Sequence, residues 1–189
     1  IMHTDPADPN GQPLHYIAAE LNLSSENFLL STEKLPAQAL ALFYNAAYCT
    51  VNISDAEGFG LSTLESLNCG TPIITTMTGG LQEQVTDGEE WFGIGIEPSS
   101  KAVIGSQQVP YIYEDRVSRE DFLNALETMY GMDPEEYRSM SAKGVEHVKK
   151  NYSFESYQNK WVHFLKHIHE HFGSYETRKN YKNWDKNTL

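Results

Sequence analysis

Apolar and polar positions along this chain alternate between two periods. Short β-prone runs bounded by turn signals predict strands at residues 1–4, 27–30, 49–53 and 72–75, with a further apolar run at 91–96. Between them lie stretches of helical period. Residues 14–21 read as a short helix, and 37–47 as a longer one with Leu40, Phe43, Tyr44 and Ala47 at the i, i+3, i+4, i+7 spacing of a core stripe. Strands alternating with helices predict an α/β fold, a Rossmann-like parallel sheet flanked by helices.

The centre of the pattern is residues 49–75. Cys49-Thr50-Val51-Asn52-Ile53 has the length of a buried strand, and a glycine-bearing loop follows. A short helix comes next, with Leu61, Leu64 and Leu67 read as one face, and Gly70 stands where a helix C-terminal glycine belongs. Pro72 opens the next strand. Strand, loop, helix, glycine, strand makes a βαβ unit whose loop sits at the carboxyl edge of the sheet, where open α/β sheets bind ligands. A second glycine loop, Met77-Thr78-Gly79-Gly80, leads into a short helix at 81–85, and Asp87-Gly88 marks a turn.

Residues 98–110 are polar and non-periodic, which predicts an extended loop or insertion. Beyond them the chain is helical: 118–130 with Ser118 as N-cap, 134–150 with Asp133 as N-cap and Pro134 at the first helical position, and 153–172. Trp161, Phe164, Leu165, Ile168 and Phe172 form one face of the last helix and are expected in the core. From Gly173 the sequence is polar, with Tyr175, Tyr181 and Trp184 its only aromatics; it is expected either disordered or packed on something outside the chain. Residues 1–4 read as a strand already in progress before the turn cluster at 5–11, so the chain is expected to begin partway into a domain.

Charge changes the picture most. Residues 1–100 hold thirteen Asp and Glu against a single cation, Lys34, while residues 101–189 hold thirteen of each sign. Without a basic stripe no nucleic-acid partner is expected. No apolar run is long enough for a membrane span. The only cysteines, Cys49 and Cys69, read as buried free thiols, which suits a reducing, cytoplasmic compartment.

The candidate chemistry lies in Glu57-Gly58-Phe59-Gly60-Leu61-Ser62-Thr63-Leu64-Glu65. Free N–H groups at the helix start favour an anion, and phosphate is the usual one. Glycines at 58 and 60 let backbone approach a ligand, and a carboxylate accepts two hydrogen bonds side by side, as a vicinal diol offers. Diol site, diphosphate cradle, diol site is the order of sugar, pyrophosphate and ribose in a nucleotide-sugar. Asp55 either turns this loop or touches the ligand, and Phe59 reads as a hydrophobic plug behind the loop.

With the following Cys69-Gly70-Thr71-Pro72-Ile73-Ile74, Gly79-Gly80 and Glu83, this stretch resembles the E-x7-E signature of retaining glycosyltransferases of family 4, which have the two-domain GT-B architecture. The resemblance runs from His3 to about Phe172. It implies that residues 1–172 form a nucleotide-sugar-binding Rossmann-like domain, one half of a GT-B fold, followed by a polar tail at 173–189. It implies that Glu57 holds the donor sugar near the reacting carbon, and that Gly58, Phe59 and Gly60 direct N–H groups to sugar and distal phosphate. Leu61 and Ser62 would bind the pyrophosphate, Glu65 the ribose hydroxyls, and the loop at Leu30, Ser31 and Thr32 the base. It further implies no metal and no resident cofactor, the nucleoside-diphosphate sugar being a co-substrate. The acceptor, a glycan, lipid or protein, would bind mainly to an N-terminal domain outside this chain.

One departure is electrostatic. The family commonly neutralises the diphosphate with an Arg and a Lys from an earlier segment, and the first hundred residues here offer only Lys34. The isolated chain is therefore expected to bind a nucleotide-sugar weakly or not at all. Two other readings compete: a nucleotide-sugar epimerase on the same architecture, and a donor-like domain serving as a non-catalytic binding or assembly module. His163, His167 and His171 stand at i, i+4, i+8, with His169 between them; opposite an apolar face they are expected to be solvated rather than metal-bound.

Overall fold

The computed structural model describes residues 1–9 and 11–179, so Asn10 and the later tail positions, Tyr181 and Trp184 among them, lie outside the described residues. Two compact units are present, residues 1–42 and 43–189. In the first, β1 (Met2–His3) pairs in parallel with β2 (Leu30–Ser31), and α1 (Leu14–Glu20) lies between them in sequence. The second pairing strand therefore starts three residues later than the run at 27–30 predicts. Helix α2 (Ala37–Ala46) runs across the boundary between the units, and none of its residues is fully buried.

The second unit is built on a three-stranded parallel sheet in the order β3 (Thr50–Asn52), β4 (Ile73–Thr76), β5 (Gly93–Ile96). Side chains on a strand alternate between faces, and β4 shows it. Ile73 faces a cluster with Leu67, Val85, Phe92 and Val148; Ile74 faces another with Ile96, Ala125 and Met129. The first cluster is capped by α3 (Leu61–Asn68), α4 (Leu81–Val85) and α6 (Pro134–Tyr152), the second by α5 (Arg119–Tyr130). Helices thus cover both faces of the sheet, and each fully buried aliphatic contributes about 1.5–3 kcal/mol. His147 is buried too, its ring stacked on Phe92 at 4.2 Å and its Nε2 2.9 Å from the Glu83 carbonyl.

Helix ends follow local chemistry. Ser118 accepts from the Asp121 N–H at 3.0 Å, and Asp133 from the Glu135 N–H at 2.8 Å with Pro134 behind it. Gly70 ends α3 at φ +82°, with Thr71 N–H donating to Ser66 O and Gly70 N–H to Leu67 O, the Schellman pair.

Four expectations are corrected. β3 is not a buried strand: it has one hydrogen-bonded neighbour in its sheet, and Val51 is exposed. Leu61 does not share the core face of α3. At 3.6 residues per turn it lies opposite the buried Thr63, Ser66 and Leu67, and the hydroxyls of Thr63 and Ser66 are satisfied internally. Residues 98–110 are not a plain loop. β6 (Ser100–Ile104) forms an antiparallel hairpin with β7 (Ile112–Arg116), where Val103 meets Tyr113 and Lys101 lies 3.5 Å from Asp115. Finally, α7 (Phe154–Phe172) carries no buried residue; Trp161, Phe164 and Leu165 are exposed, because no described residue covers that face. Cys49 and Cys69 are free but half-buried, and burial pushes both thiols up. Among the described residues no helix is long and apolar enough to cross a membrane.

Candidate functional site

The loop from β3 to α3 leaves the carboxyl end of a parallel strand and is gripped by a second loop, residues 78–80. Gly80 N–H donates to Gly58 O at 3.2 Å. Gly79, at φ +48°, lies so close that a Cβ there would stand 1.7 Å from the Glu57 carbonyl oxygen. Gly60 is the N-cap of α3 at φ +84°, and a Cβ there would meet Leu81 Cδ2 at 2.4 Å. Both positions need the left-handed region and the missing side chain. The two glycine loops seen in the sequence are one backbone-to-backbone assembly.

Beneath it lies Gln84, fully buried. Its Nε2 donates to Phe59 O at 2.5 Å and to Gly60 O at 3.1 Å, and Thr63 Oγ1 donates to its Oε1 at 2.6 Å. Sequence reading passed over Gln84 as a polar position in a short helix; its only signal was the apolar Leu81 and Val85 around it. Among the described residues no protein acceptor meets the N–H of Gly60 or Leu61.

Around that helix start stand the nominated residues. Glu57 is half-buried, Gly58 has no atom within 4 Å of where its Cβ would be, and Leu61 and Ser62 are exposed. Phe59 is not a buried plug: it is half-exposed, with its ring edge-on to Tyr152 at 5.8 Å. Glu65 lies one turn beyond Leu61 on the same exposed face of α3 and accepts a 3.0 Å hydrogen bond from Tyr44 Oη. Tyr44, read from sequence as a core residue, is thus a partner of the second carboxylate. Burial, then the hydrogen bond and charge of Glu65, push its phenol well above the usual tyrosine range. Leu30, Ser31 and Thr32 belong to the other unit. There Leu30 lines a cavity of about 470 Å³ with Phe28 and His15, Ser31 Oγ is 3.0 Å from His3 Nδ1, and Thr32 is exposed.

The charge deficit of the first hundred residues is partly met from beyond them. Arg116 Nη1 lies 2.5 Å from Asp55 Oδ2, and Asp115 N–H donates to Asp55 O at 2.7 Å. Glu114 holds the same guanidinium at 2.6 Å and is the larger cause of its raised pKa, ahead of Asp55. Asp55 ties the loop to the β6–β7 hairpin. A cavity of about 570 Å³ between α4, α6 and α7 includes neither Glu57 nor Glu65. On α7, the rings of His167 and His171 lie 4.0 Å apart, tilted by 32°; no three His, Cys, Asp or Glu side chains among the described residues converge as a metal site.

The family model for glycosyl transferases group 1 matches residues 8–127, a span that takes in both glycine loops and both carboxylates. The chain belongs to this family. Curated relatives include the D-inositol 3-phosphate glycosyltransferase of Acidothermus cellulolyticus, 40% identical over 76 residues, which are 40% of this chain and 16% of that protein. The protein of the same name from Thermomonospora curvata is 37% identical over 99 residues, 52% of this chain and 22% of that one. Among solved structures, sucrose-phosphate synthase from Thermosynechococcus elongatus superposes with a TM-score of 0.66 at 22% identity, over 88% of this chain and 38% of that one. At that identity the likeness speaks for the fold, the Rossmann-like architecture of GT-B glycosyltransferases. This group 1 chain matches only a minor part of each relative's length.

Proposed function

We propose that this group 1 chain is the donor-binding, C-terminal half of a retaining, family 4 glycosyltransferase. The whole protein would transfer a sugar from a nucleoside-diphosphate sugar to an acceptor hydroxyl. The observation that carries the reading is the pair of unpartnered N–H groups at Gly60 and Leu61, bracketed by Glu57 before the helix start and Glu65 one turn into it. Backbone dipoles fixed in advance stabilise a leaving diphosphate without reorganising, and losing one such donor typically costs about 10²–10³-fold in rate.

In this reading Glu57 holds sugar hydroxyls, Gly58, Phe59 and Gly60 line the sugar and distal phosphate, and Leu61 and Ser62 take the pyrophosphate. Glu65, oriented by Tyr44, accepts the ribose hydroxyls. Arg116 moderates the negative field of the loop, and the reaction needs no metal. The acceptor binds largely on parts of the protein beyond this chain. Relatives named for an inositol phosphate make a phosphorylated polyol the first acceptor to assay.

The test is sugar transfer by the full-length protein from a panel of nucleotide-sugars, with the anomeric configuration of the product read by NMR. Transfer with retained configuration, lost in Glu57→Ala, supports the proposal. Folded full-length protein that transfers from no donor would favour a non-catalytic binding module instead.

A further inference from the structure

We propose that Gln84 is a positioning residue for the diphosphate site, acting through the two peptide planes it holds; this rests on the donor-site reading above. A trans peptide is planar, so its C=O and the following N–H point in opposite directions. The Phe59 carbonyl accepts from Gln84 Nε2 at 2.5 Å, which turns the Gly60 N–H of the same plane away from Gln84. The Gly60 carbonyl accepts from the same Nε2 at 3.1 Å, alongside the Leu64 N–H at 3.3 Å and beside Thr63 Oγ1 at 2.8 Å, so Gln84 and the first turn of α3 together turn the Leu61 N–H away. Neither N–H has a protein acceptor among the described residues.

Only a group with two N–H donors can serve both carbonyls at once, and a carboxamide is the neutral side chain that has them. Thr63 Oγ1 lies 2.6 Å from Oε1 and 2.8 Å from Gly60 O, and its single proton serves one of them at a time; the two carbonyls themselves fix which end of the amide faces them. The Gln84 side chain is fully buried, so water does not compete for its amide. Gly60 itself, at φ +84°, has wide conformational freedom as a glycine; Gln84 removes that freedom on the side away from the ligand. Packing alone at this position would call for an apolar residue of similar size.

The probe is inorganic pyrophosphate, which carries the anion without base or sugar. Full-length protein is ¹⁵N-labelled, and the Gly60 and Leu61 amide shifts are followed as pyrophosphate is added, for wild type and for Gln84→Glu. The expected result is a large shift of both amides in wild type. In the variant, with its melting temperature recorded, that response is lost and affinity weakens about tenfold or more, as removal of two buried donors implies. A packing role alone would lower the melting temperature and leave the response of the folded protein intact; that result overturns the proposal while the donor-site reading stands. If wild-type Gly60 and Leu61 do not respond to pyrophosphate, the donor-site reading fails and the role of Gln84 with it. Should Gln84→Glu not fold, hydrogen exchange of the wild-type Gln84 side-chain amide decides: slow exchange supports the brace, and exchange at the rate of an exposed amide refutes it.

Discussion

Replacing Gly79 by alanine tests how the second glycine loop sets the first. A Cβ at Gly79 would stand 1.7 Å from the Glu57 carbonyl oxygen and 2.9 Å from its carbonyl carbon, both backbone atoms that no rotamer change can move aside. Restoring van der Waals contact requires the Glu57 backbone to retreat by roughly 1 Å or more, because carbon and oxygen do not approach closer than about 3 Å. Two costs add. Overpacking typically takes about 1–3 kcal/mol, and alanine held at the φ of +48° takes about 1 kcal/mol more. For a chain of this size that lowers the melting temperature by about 4–16 °C. The functional cost is larger in proportion, since misplacing a reacting group by about 1 Å costs about 10²-fold in rate.

Gly88→Ala is the matched control: its φ is +95°, but nothing lies within 4 Å of the added carbon. It should lose only the backbone term, about 1 kcal/mol, and keep full sugar transfer. Differential scanning calorimetry and an initial-rate transfer assay on the two full-length variants read both quantities. If Gly79→Ala transfers sugar within about twofold of wild type, the claim that this loop positions Glu57 is refuted.

Tyr44 should stay un-ionised to higher pH than free tyrosine, because burial and Glu65 both oppose its phenolate. Its contribution to stability is then full below about pH 10 and declines as pH rises above that, since the unfolded chain ionises first; alkaline difference absorbance compared with Tyr44→Phe checks it. Asp133→Ala removes the N-cap that accepts from Glu135 N–H and should cost about 1 kcal/mol, seen as a melting temperature lower by about 2–4 °C with transfer unchanged. Arg116→Gln should leave the β6–β7 hairpin tied to Asp55 by the Asp115 N–H alone, and limited proteolysis near Tyr111 should then be faster than in wild type.

The parts of this fold written in local chemistry were legible from the sequence. Gly60 and Gly70 bracket α3 because helix ends need residues of particular backbone freedom, and Ser118, Asp133 and Pro134 start their helices for reasons a few residues long. What escaped depends on residues far apart. Tyr44 meets Glu65 across 21 positions, Gln84 meets Phe59 across 25, and Arg116 meets Asp55 across 61 (116 less 55). No periodicity reports such pairings. The β6–β7 hairpin was missed because its strands alternate weakly, with Lys101 and Asp115 on the face that also carries Val103 and Tyr113. Leu61 misled for a related reason: i, i+3, i+6 drifts round a helix, and the buried stripe is instead drawn by Thr63 and Ser66, whose hydroxyls find partners inside. The apolar face of α7 was read correctly as a face; its burial depends on cover that no described residue supplies.

A crystal structure of the full-length protein with an intact nucleoside-diphosphate sugar bound tests the central claim most directly. The account predicts pyrophosphate oxygens within hydrogen-bond distance of the Gly60 and Leu61 N–H groups, with Glu57 on the sugar and Glu65 on the ribose. A nucleotide-sugar seated elsewhere, with the start of α3 facing only solvent, would contradict it.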